Sequence, residues 1–557
     1  KLESYGDATL VSKAPLASFS AMASPKTFVF VFPAASGHMN PSLAVARLLA
    51  EAGHEVHYLA SPVMRGVIEG AGAKYHSVEE HLTELMANPD IGPIGNLMNL
   101  FEEHGLERSL LKGTEMMKNA IVEKKLPGTL RFLRSIEPDA VVYCPLVNRE
   151  TGVAAKVLGI PSITLNTIAG PGAFTTNFFA VREALRENAE DFISRANAFD
   201  PELAATRRLN AEFGLSLKAG FERPIGKADT FAFAALNLVT TSEDLMDPMS
   251  PELAHAYAAE GTAFVGVGPL LDREGVERAA GHKLQVGDGL PQGGMSAEAI
   301  LAEVRAARAA GRRVIMVSMG TVITGDMPEV GWEGRQVGAD GQPRGLTGRE
   351  LCRGAWAGAF DAFGVSAGAE TAGAGPLLVV ALGPQAEPLG ELVAPSNAIC
   401  APVLPQVDLL RVGVDLFLTH GGQNSFTESL SHGTPVVVCP GAGDQIVNAA
   451  KAVALGVGLK VDRPEPEAGT EREAVEAYRA EVGHALTEVW GRPDMLAAAK
   501  ACAERLRSAG GVLRATELIL AAAGASEGCR GVDVVCKEGR VPSSGTLLCS
   551  PAPVAGA

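Results

Sequence analysis

The segment from Leu416 to Asn448 constrains the fold of this chain more than any other stretch. A short apolar run, Leu416 to Thr419, leads into the turn His420-Gly421-Gly422, and a helical pattern with Phe426 and Leu430 on one side follows. Glycines let the backbone approach a ligand closely, and the free amides and positive dipole end at a helix start favour a phosphate. The segment therefore predicts a phosphate-binding turn at one edge of a parallel α/β sheet.

Further polar groups are spaced to meet a ligand at the same edge. Glu428 follows Asn424 by one helical turn, so its carboxylate is expected to accept hydrogen bonds from hydroxyls beyond the phosphate, such as those of a nucleotide sugar. A second strand, Pro435 to Cys439, brings Asp444 and Gln445 to the same end of the sheet. An ordinary strand-turn-helix unit explains the glycines but not these polar spacings.

The segment resembles the nucleotide-sugar signature of the UDP-dependent glycosyltransferases, the family 1 group with the GT-B fold. The matching residues are His-Gly-Gly-x-Asn-Ser-x-x-Glu from His420, Gly-x-Pro from Gly433 and Asp-Gln-x-x-Asn-Ala from Asp444. Upstream, Pro-Gln-x-x-Leu-Leu from Pro405 resembles the family as well. The resemblance implies an α/β protein of the GT-B type, in which two Rossmann-like domains face a central cleft.

The resemblance also implies roles for the donor-binding residues. His420 is expected at the diphosphate of a UDP-sugar, and Glu428 at the ribose hydroxyls. Asp444 and Gln445 are expected at the sugar hydroxyls. Thr321, in the Gly-Thr turn after an apolar run, resembles a further diphosphate contact of the family. The remaining donor-binding candidates are Val403, Gln406, Gly422, Asn424 and Ser425.

Two positions near the nucleobase depart from the plant members of this family. Those members stack the uracil on a tryptophan where this chain has Val403, and Gln423 replaces another tryptophan. We therefore expect the base to be held by less aromatic area.

His38 is the candidate catalytic base. It follows a buried strand, Thr27 to Phe32, and we expect Asn40 to cap the next helix, with Pro41 at its first position. A histidine at the carboxyl end of a strand faces a cleft, although a lone histidine in a turn is more often structural. In the resembled family, a Gly-His turn at this place carries the base, which implies that role here.

Cys144 is a departure within the expected catalytic machinery. It ends the strand from Pro138, where family members usually have an aspartate that orients the base. A thiol is a weak hydrogen-bond partner and carries no charge when neutral. The open candidates to replace the aspartate are Asp139, Asn148 and Glu150.

Apolar residues in the first half of the chain are candidates for binding a lipophilic acceptor, because small-molecule sites have mostly apolar linings. Those we consider are Met98, Phe174 and Phe178, although most of the apolar surface in residues 79–135 is expected to be helix core.

With 557 residues the chain is too long for one core, and two domains are expected. The predicted divisions are a disordered leader (1–22), an acceptor-binding domain (23–270), a linker (271–295), a donor-binding domain (296–523) and a flexible tail (524–557). Residues 324–348 hold seven glycines and read as a surface insertion.

Composition excludes several classes of partner. A net charge of −16 without a basic stripe disfavours a nucleic-acid partner. No run of eighteen apolar residues is present, so no transmembrane segment is expected. Eight cysteines without a Cys-x-x-Cys pair indicate reduced thiols in a cytoplasmic protein, although the three cysteines beyond residue 524 remain able to pair.

These inferences predict an inverting glycosyltransferase that moves a sugar, with glucose expected, from a UDP-sugar to a hydroxyl of a small lipophilic acceptor. No metal and no cofactor besides the UDP-sugar co-substrate is expected, because a helix N-terminus, His420 and Thr321 are predicted to stabilise the diphosphate. The alternatives are a sugar-nucleotide epimerase or hydrolase of the same fold, and a catalytically silent nucleotide-sugar-binding protein.

Overall fold

The structure is a computed structural model that describes residues 24–185, 187–279, 295–327, 329–337, 342–365 and 375–524. The predicted leader, most of the predicted linker and the predicted tail beyond Gly524 lie outside these residues. Within the described ranges, no helix is long and apolar enough to cross a membrane. The same ranges contain no group of three or more His, Cys, Asp or Glu residues placed to hold a metal ion.

The first half of the chain forms a seven-stranded parallel sheet. Its strands are β1 (Thr27–Val31), β2 (Glu55–Ala60), β3 (Lys74–Ser77), β4 (Ala140–Tyr143), β5 (Ser162–Asn166), β6 (Leu236–Val239) and β7 (Phe264–Gly266), and their order in the sheet is β3-β2-β1-β4-β5-β6-β7. Its helices are α1 (Ser36–Glu51), α2 (Arg65–Gly70), α3 (Val78–His81), α4 (Gly92–Glu103), α5 (Leu110–Met116), α6 (Lys118–Ile136), α7 (Arg149–Leu158), α8 (Gly172–Ala184), α9 (Ala189–Asn197), α10 (Asp200–Phe213), α11 (Asp229–Phe233) and α12 (Pro251–Ala259).

The second half forms a six-stranded parallel sheet and a small two-stranded one. Its strands are β8 (Val314–Ser318), β9 (Gln336–Val337), β10 (Pro343–Arg344), β11 (Leu377–Ala381), β12 (Ala398–Ala401), β13 (Leu416–Thr419), β14 (Val436–Val438) and β15 (Gly458–Lys460), with the larger sheet ordered β12-β11-β8-β13-β14-β15 and β9 paired with β10. Its helices are α13 (Ala297–Ala309), α14 (Gly320–Ile323), α15 (Gly348–Phe363), α16 (Gln406–Gly413), α17 (Gln423–Ser431), α18 (Asp444–Ala454), α19 (Glu471–Trp490), α20 (Pro493–Ser508) and α21 (Gly511–Gly524).

Both larger sheets are buried on two faces, which explains why their strands are continuous apolar runs. Along β1, Phe28 and Phe30 contribute to one core while Val29 and Val31 contribute to the core on the opposite face. This alternation is the two-residue period of a strand. Helices cover both faces, as the predicted α/β class requires.

The strand order predicts one ligand crevice in each of the two larger sheets. In each sheet, the first strand in the chain lies centrally, so the order reverses between β1 and β4 and again between β8 and β13. Ligands of doubly wound sheets bind at the carboxyl ends of the strands at such a reversal. The two sheets confirm the predicted pair of Rossmann-like units, and the candidate site residues follow the strands at these reversals.

The last helix corrects one predicted boundary. Helix α21 packs on the core of the first sheet, where Leu518 and Ile519 share a cluster with Phe28, and Lys26 Nζ donates to the carbonyl of Ala523 at 2.9 Å. Assigning residues up to 523 to the second domain was therefore wrong for this helix. The apolar face of α21 completes the core of the first domain. Helical periodicity shows that a helix has an apolar face but not which domain buries it.

Residues 324–348 also differ from the prediction of a surface insertion. Trp332 and Leu346 are buried in the core of the second domain, and the Trp332 ring lies 6.2 Å from that of Trp356. Thr347 caps α15 in a capping box with Glu350. Two large side chains and a cap are enough to anchor a glycine-rich segment to the core.

Candidate active site

Helix α1 begins earlier than predicted, and this changes the setting of His38. The helix starts at Ser36, so His38 lies in its first turn and not in the loop before it. Asn40 does not cap the helix. Its side chain instead accepts from the amide of Ala279 at 2.8 Å and donates to the carbonyl of Ala279 at 3.1 Å. Asn40 thus fastens the segment that leaves the first domain.

Pro41 lies inside α1 and leaves one helical carbonyl available for another donor. A residue at this place would normally donate its amide hydrogen to the carbonyl of Gly37, but proline has none. The Gly37 carbonyl instead accepts from Asn424 Nδ2 at 2.7 Å. Asn424, a predicted donor-site residue, therefore joins the second domain to the turn that carries His38.

The ring of His38 is held at Nδ1 by two side chains. Thr167 Oγ1 lies 2.9 Å from Nδ1, and Cys144 Sγ lies 3.3 Å from it. These residues come from three neighbouring strands of the sheet: His38 follows β1, Cys144 follows β4, and Thr167 follows β5. Burial raises the pKa of the Cys144 thiol to about 11, so the thiol is neutral at neutral pH. The resemblance placed Cys144 beside the base, and the structure brings the two together.

The three candidates to replace the family aspartate have other partners. Asp139 accepts from the amide of Thr27 at 2.7 Å, at the opposite end of the strand. Asn148 donates to Glu150 at 3.1 Å, and Glu150 pairs with Lys125 at 3.5 Å. Thr167, which does lie beside the ring of His38, was not among the residues predicted from the sequence. The available signal was its position directly after a buried strand, at the edge where His38 was expected.

His420 occupies a narrow slot between two glycines. A side chain at Gly320 or at Gly422 would collide with its ring, and Gly320 also has a φ of +73°. Burial lowers the pKa of His420 to about 4, so the imidazole is neutral at neutral pH. Among the described residues its Nδ1 has no hydrogen-bond partner. A neutral imidazole at this turn, with a nitrogen that has no partner among the described residues, suits a contact to a ligand that reaches the turn.

Thr321 lies at the junction of the two domains. It follows Gly320 in α14, and its hydroxyl is 3.3 Å from the hydroxyl of Ser36, two residues before His38. The turn predicted to bind the diphosphate and the turn that carries the candidate base His38 are therefore in direct contact.

Glu428, predicted to bind the ribose, forms one hydrogen-bonded group with two other predicted donor-binding residues. Gln406 donates to Glu428 at 2.6 Å and to Ser425 at 3.1 Å. Arg278, which no pattern indicated, forms an ion pair with the other carboxylate oxygen of Glu428 at 2.7 Å. This carboxylate is thus brought to the cleft but is already engaged by a residue of the segment that leaves the first domain.

Asp444 and Gln445 make hydrogen bonds to the protein backbone in this structure. Asp444 accepts from the amide of Gln423 at 2.9 Å, at the start of α17, and Gln445 accepts from the amide of Gly441 at 2.8 Å. Burial raises the pKa of Asp444 to about 6. The first amides of a helix lack partners within it, which explains why a nearby carboxylate takes this place.

The other predicted residues differ in accessibility. Val403 is 38% exposed, ahead of α16. Met98 and Phe178 are only 2% and 4% exposed and lie in a cluster with Phe192, so they present no surface to an acceptor in this structure. That correction arises because α9 covers them. Phe174 is half-buried, packs edge-to-face on Phe231 and borders the cluster that begins at Ile168, next to Thr167.

Comparisons with known proteins agree with this site. Residues 391–477 match the family model described as UDP-glucoronosyl and UDP-glucosyl transferase. This matched stretch contains the predicted donor-binding residues from Val403 to Gln445. This glycosyltransferase is similar to the uncharacterized UDP-glucosyltransferase YdhE of Bacillus subtilis (strain 168), with 24% identity over 81% of this chain and 89% of that protein.

Two further comparisons cover most of this glycosyltransferase. The oleandomycin glycosyltransferase of Streptomyces antibioticus is 26% identical over 79% of this chain and 80% of that protein. The crystal structure of the glycosyltransferase of kitacinnamycin has a TM-score of 0.54 and 21% identity, and it covers 90% of this chain and 100% of its own. The structural likeness supports the GT-B fold.

Proposed function

We propose that this glycosyltransferase transfers glucose from UDP-glucose to a hydroxyl of a small lipophilic acceptor, with inversion at the anomeric carbon. One observation carries the proposal. The 3.3 Å contact between Ser36 and Thr321 brings the turn that holds His38 against the turn expected to bind the diphosphate. This contact supports a base at His38 that acts next to the bond that must break.

The transfer proceeds in one displacement step. The acceptor hydroxyl gives its proton to Nε2 of His38 while its oxygen attacks the anomeric carbon from the face opposite the diphosphate. A carbon–oxygen bond forms to the acceptor, and the bond from the anomeric carbon to the β-phosphate oxygen breaks. The electron pair of that bond leaves with UDP, and His38 then releases its proton to solvent.

The donor is proposed from the residues around the cleft and from the relatives. His420, Thr321 and the N-terminus of α17 supply hydrogen-bond donors and a positive dipole end for the diphosphate, without a metal or a cofactor. Glu428 receives the ribose hydroxyls, and Gln406, which donates to both Glu428 and Ser425, holds that carboxylate. The names of the matching family and of the YdhE relative support a UDP-glucose donor.

The acceptor is proposed to bind on the first domain. A relative named for oleandomycin supports a small organic acceptor. The half-buried Phe174 borders the apolar cluster of Ile168, Ala169 and Ala173, next to Thr167, and provides an apolar contact for it. We place the protein in the cytoplasm, since the five cysteines in the described ranges are free thiols.

The test is product analysis with the purified chain. UDP-glucose, UDP-galactose and dTDP-glucose are each supplied with a panel of phenols and lipophilic alcohols, with and without a chelator, and the anomeric configuration of the product is read by NMR. We expect β-glucosides from UDP-glucose and no loss with chelator. An α-linked product, or sugar release that is independent of any acceptor, would refute the proposal.

His38→Ala serves as the matched control. We expect it to lower turnover by about 10²–10⁴, the usual share of general base catalysis, while leaving UDP affinity unchanged in calorimetry. Equal turnover in this variant would exclude His38 as the base.

A further inference from the structure

We propose that Thr167 is the positioning residue for His38. In this proposal, the Thr167 hydroxyl accepts a hydrogen bond from Nδ1–H of His38 and fixes the tautomer in which Nε2 takes the acceptor proton. The inference rests on the proposed function, since it assigns His38 the role of base. It gives Thr167 the orienting task that the resembled family assigns to an aspartate at the place of Cys144.

The chemistry of the two groups favours the hydroxyl over the thiol as the orienting group. Thr167 Oγ1 lies 2.9 Å from Nδ1 and the larger sulfur of Cys144 lies 3.3 Å from it, so both are within hydrogen-bond distance. Sulfur is only a weak acceptor, and a buried neutral thiol brings no charge. The hydroxyl is therefore the stronger partner for Nδ1–H.

The backbone holds Thr167 in place. It directly follows β5, and its neighbour Asn166 is fixed by two contacts: its carbonyl accepts from the amide of Thr240 at 3.0 Å, and its side chain accepts from the amide of Ile168 at 3.2 Å. Thr167 itself is 4% exposed. A group that orients a base must be rigid, because small displacements at the reacting atoms reduce the rate strongly.

Strand order explains why the contact exists. His38, Cys144 and Thr167 follow three strands that are adjacent in the sheet, although Thr167 is 129 residues from His38 in sequence. Parallel strands end at the same edge, so Cys144 and Thr167, each the first residue after its strand, lie there beside the first turn of α1, which carries His38. Thr167 thus reaches Nδ1 from one strand further out than Cys144.

The experiment compares Thr167→Val, which keeps the shape but removes the hydroxyl, with Thr167→Ser, which keeps the hydroxyl. We expect Thr167→Val to lower kcat by about 10- to 100-fold with the KM for UDP-glucose unchanged, since both a hydrogen bond and the ring orientation are lost. Thr167→Ser should stay within about threefold of the parent enzyme.

A readout that does not depend on the variants is the tautomer of His38. Nitrogen NMR of the parent enzyme labelled with ¹⁵N-histidine, with the His38 signals assigned by their loss in His38→Gln, should show Nδ1 protonated. A proton on Nε2 in the neutral ring would overturn the inference, whether or not the variants fold. In Thr167→Val we expect the two tautomers to mix.

Failure of this inference differs from failure of the proposed function. If Thr167→Val keeps the parent kcat while His38→Ala is inactive, His38 is the base but Thr167 does not position it. If Thr167→Ser falls as far as Thr167→Val, or if only the KM for UDP-glucose rises, the residue acts by packing or donor binding and the inference is wrong. If His38→Ala is as active as the parent, the proposed base itself is wrong.

Discussion

Replacing Cys144 with aspartate tests how the surroundings of His38 set its strength as a base. The sulfur lies 3.3 Å from Nδ1 and is fully buried, so a carboxylate of similar size would approach the same ring nitrogen. A carboxylate this close raises the pKa of an imidazole by about 1–3 units. If half of that gain reaches the transition state, proton abstraction accelerates by about 3- to 30-fold.

The gain should depend on the acidity of the acceptor. An aliphatic alcohol is a weak acid and needs the stronger base, so we expect its full acceleration with Cys144→Asp. A phenol, with a pKa of about 10, is a stronger acid and depends less on the strength of the base. Its transfer rate should change by less than about threefold. The acid limb of the kcat profile should also move to higher pH, because a stronger base is protonated at higher pH.

The assay measures initial rates for a matched phenol and benzylic alcohol across pH, with Cys144→Asn as the control that has a similar shape and no charge. Equal acceleration in Cys144→Asn would show that charge is not the cause. Unchanged rates with both acceptors in Cys144→Asp, together with an unmoved pH profile, would refute the reasoning that the neutral thiol limits His38.

Three further predictions concern the donor site. His420→Ala and Glu428→Ala should each weaken UDP binding by about 10- to 150-fold, since hydrogen bonds to charged groups contribute about 1.5–3 kcal/mol, and unchanged affinity by calorimetry would remove the assignment. Arg278→Met should tighten UDP binding by up to about fivefold. The ribose would then no longer compete with the ion pair between Arg278 and Glu428, which contributes at most about 1 kcal/mol. Weaker UDP binding in this variant would mean that Arg278 contacts the nucleotide. Asp444→Asn should stabilise the fold above pH 6 and lose this advantage toward pH 4. Burial raises the pKa of Asp444 to about 6, so the native protein carries a buried charge at this residue only above that pH. Thermal melts from pH 4 to 8 measure this, and a pH-independent difference would contradict it.

Local patterns were enough to predict that several candidate donor-site residues lie close together. His420, Asn424 and Glu428 lie within one strand-turn-helix unit, where the spacing of residues along the chain sets the spacing of side chains in space. The same holds for the apolar runs that became central strands, since both of their faces are buried. His38 and Cys144 were found by resemblance, and the structure places them in contact.

The tertiary structure decided what local patterns cannot encode. The contact of Thr167 with His38 depends on the lateral order of β1, β4 and β5, and residues in separate strand-helix units meet only once that order is set. Burial of Met98 and Phe178 depends on α9 packing over them, and the placement of α21 on the first sheet depends on which apolar surface was left uncovered. Periodicity shows that a face is buried, but the partner that buries it is chosen by the free energy of the whole fold.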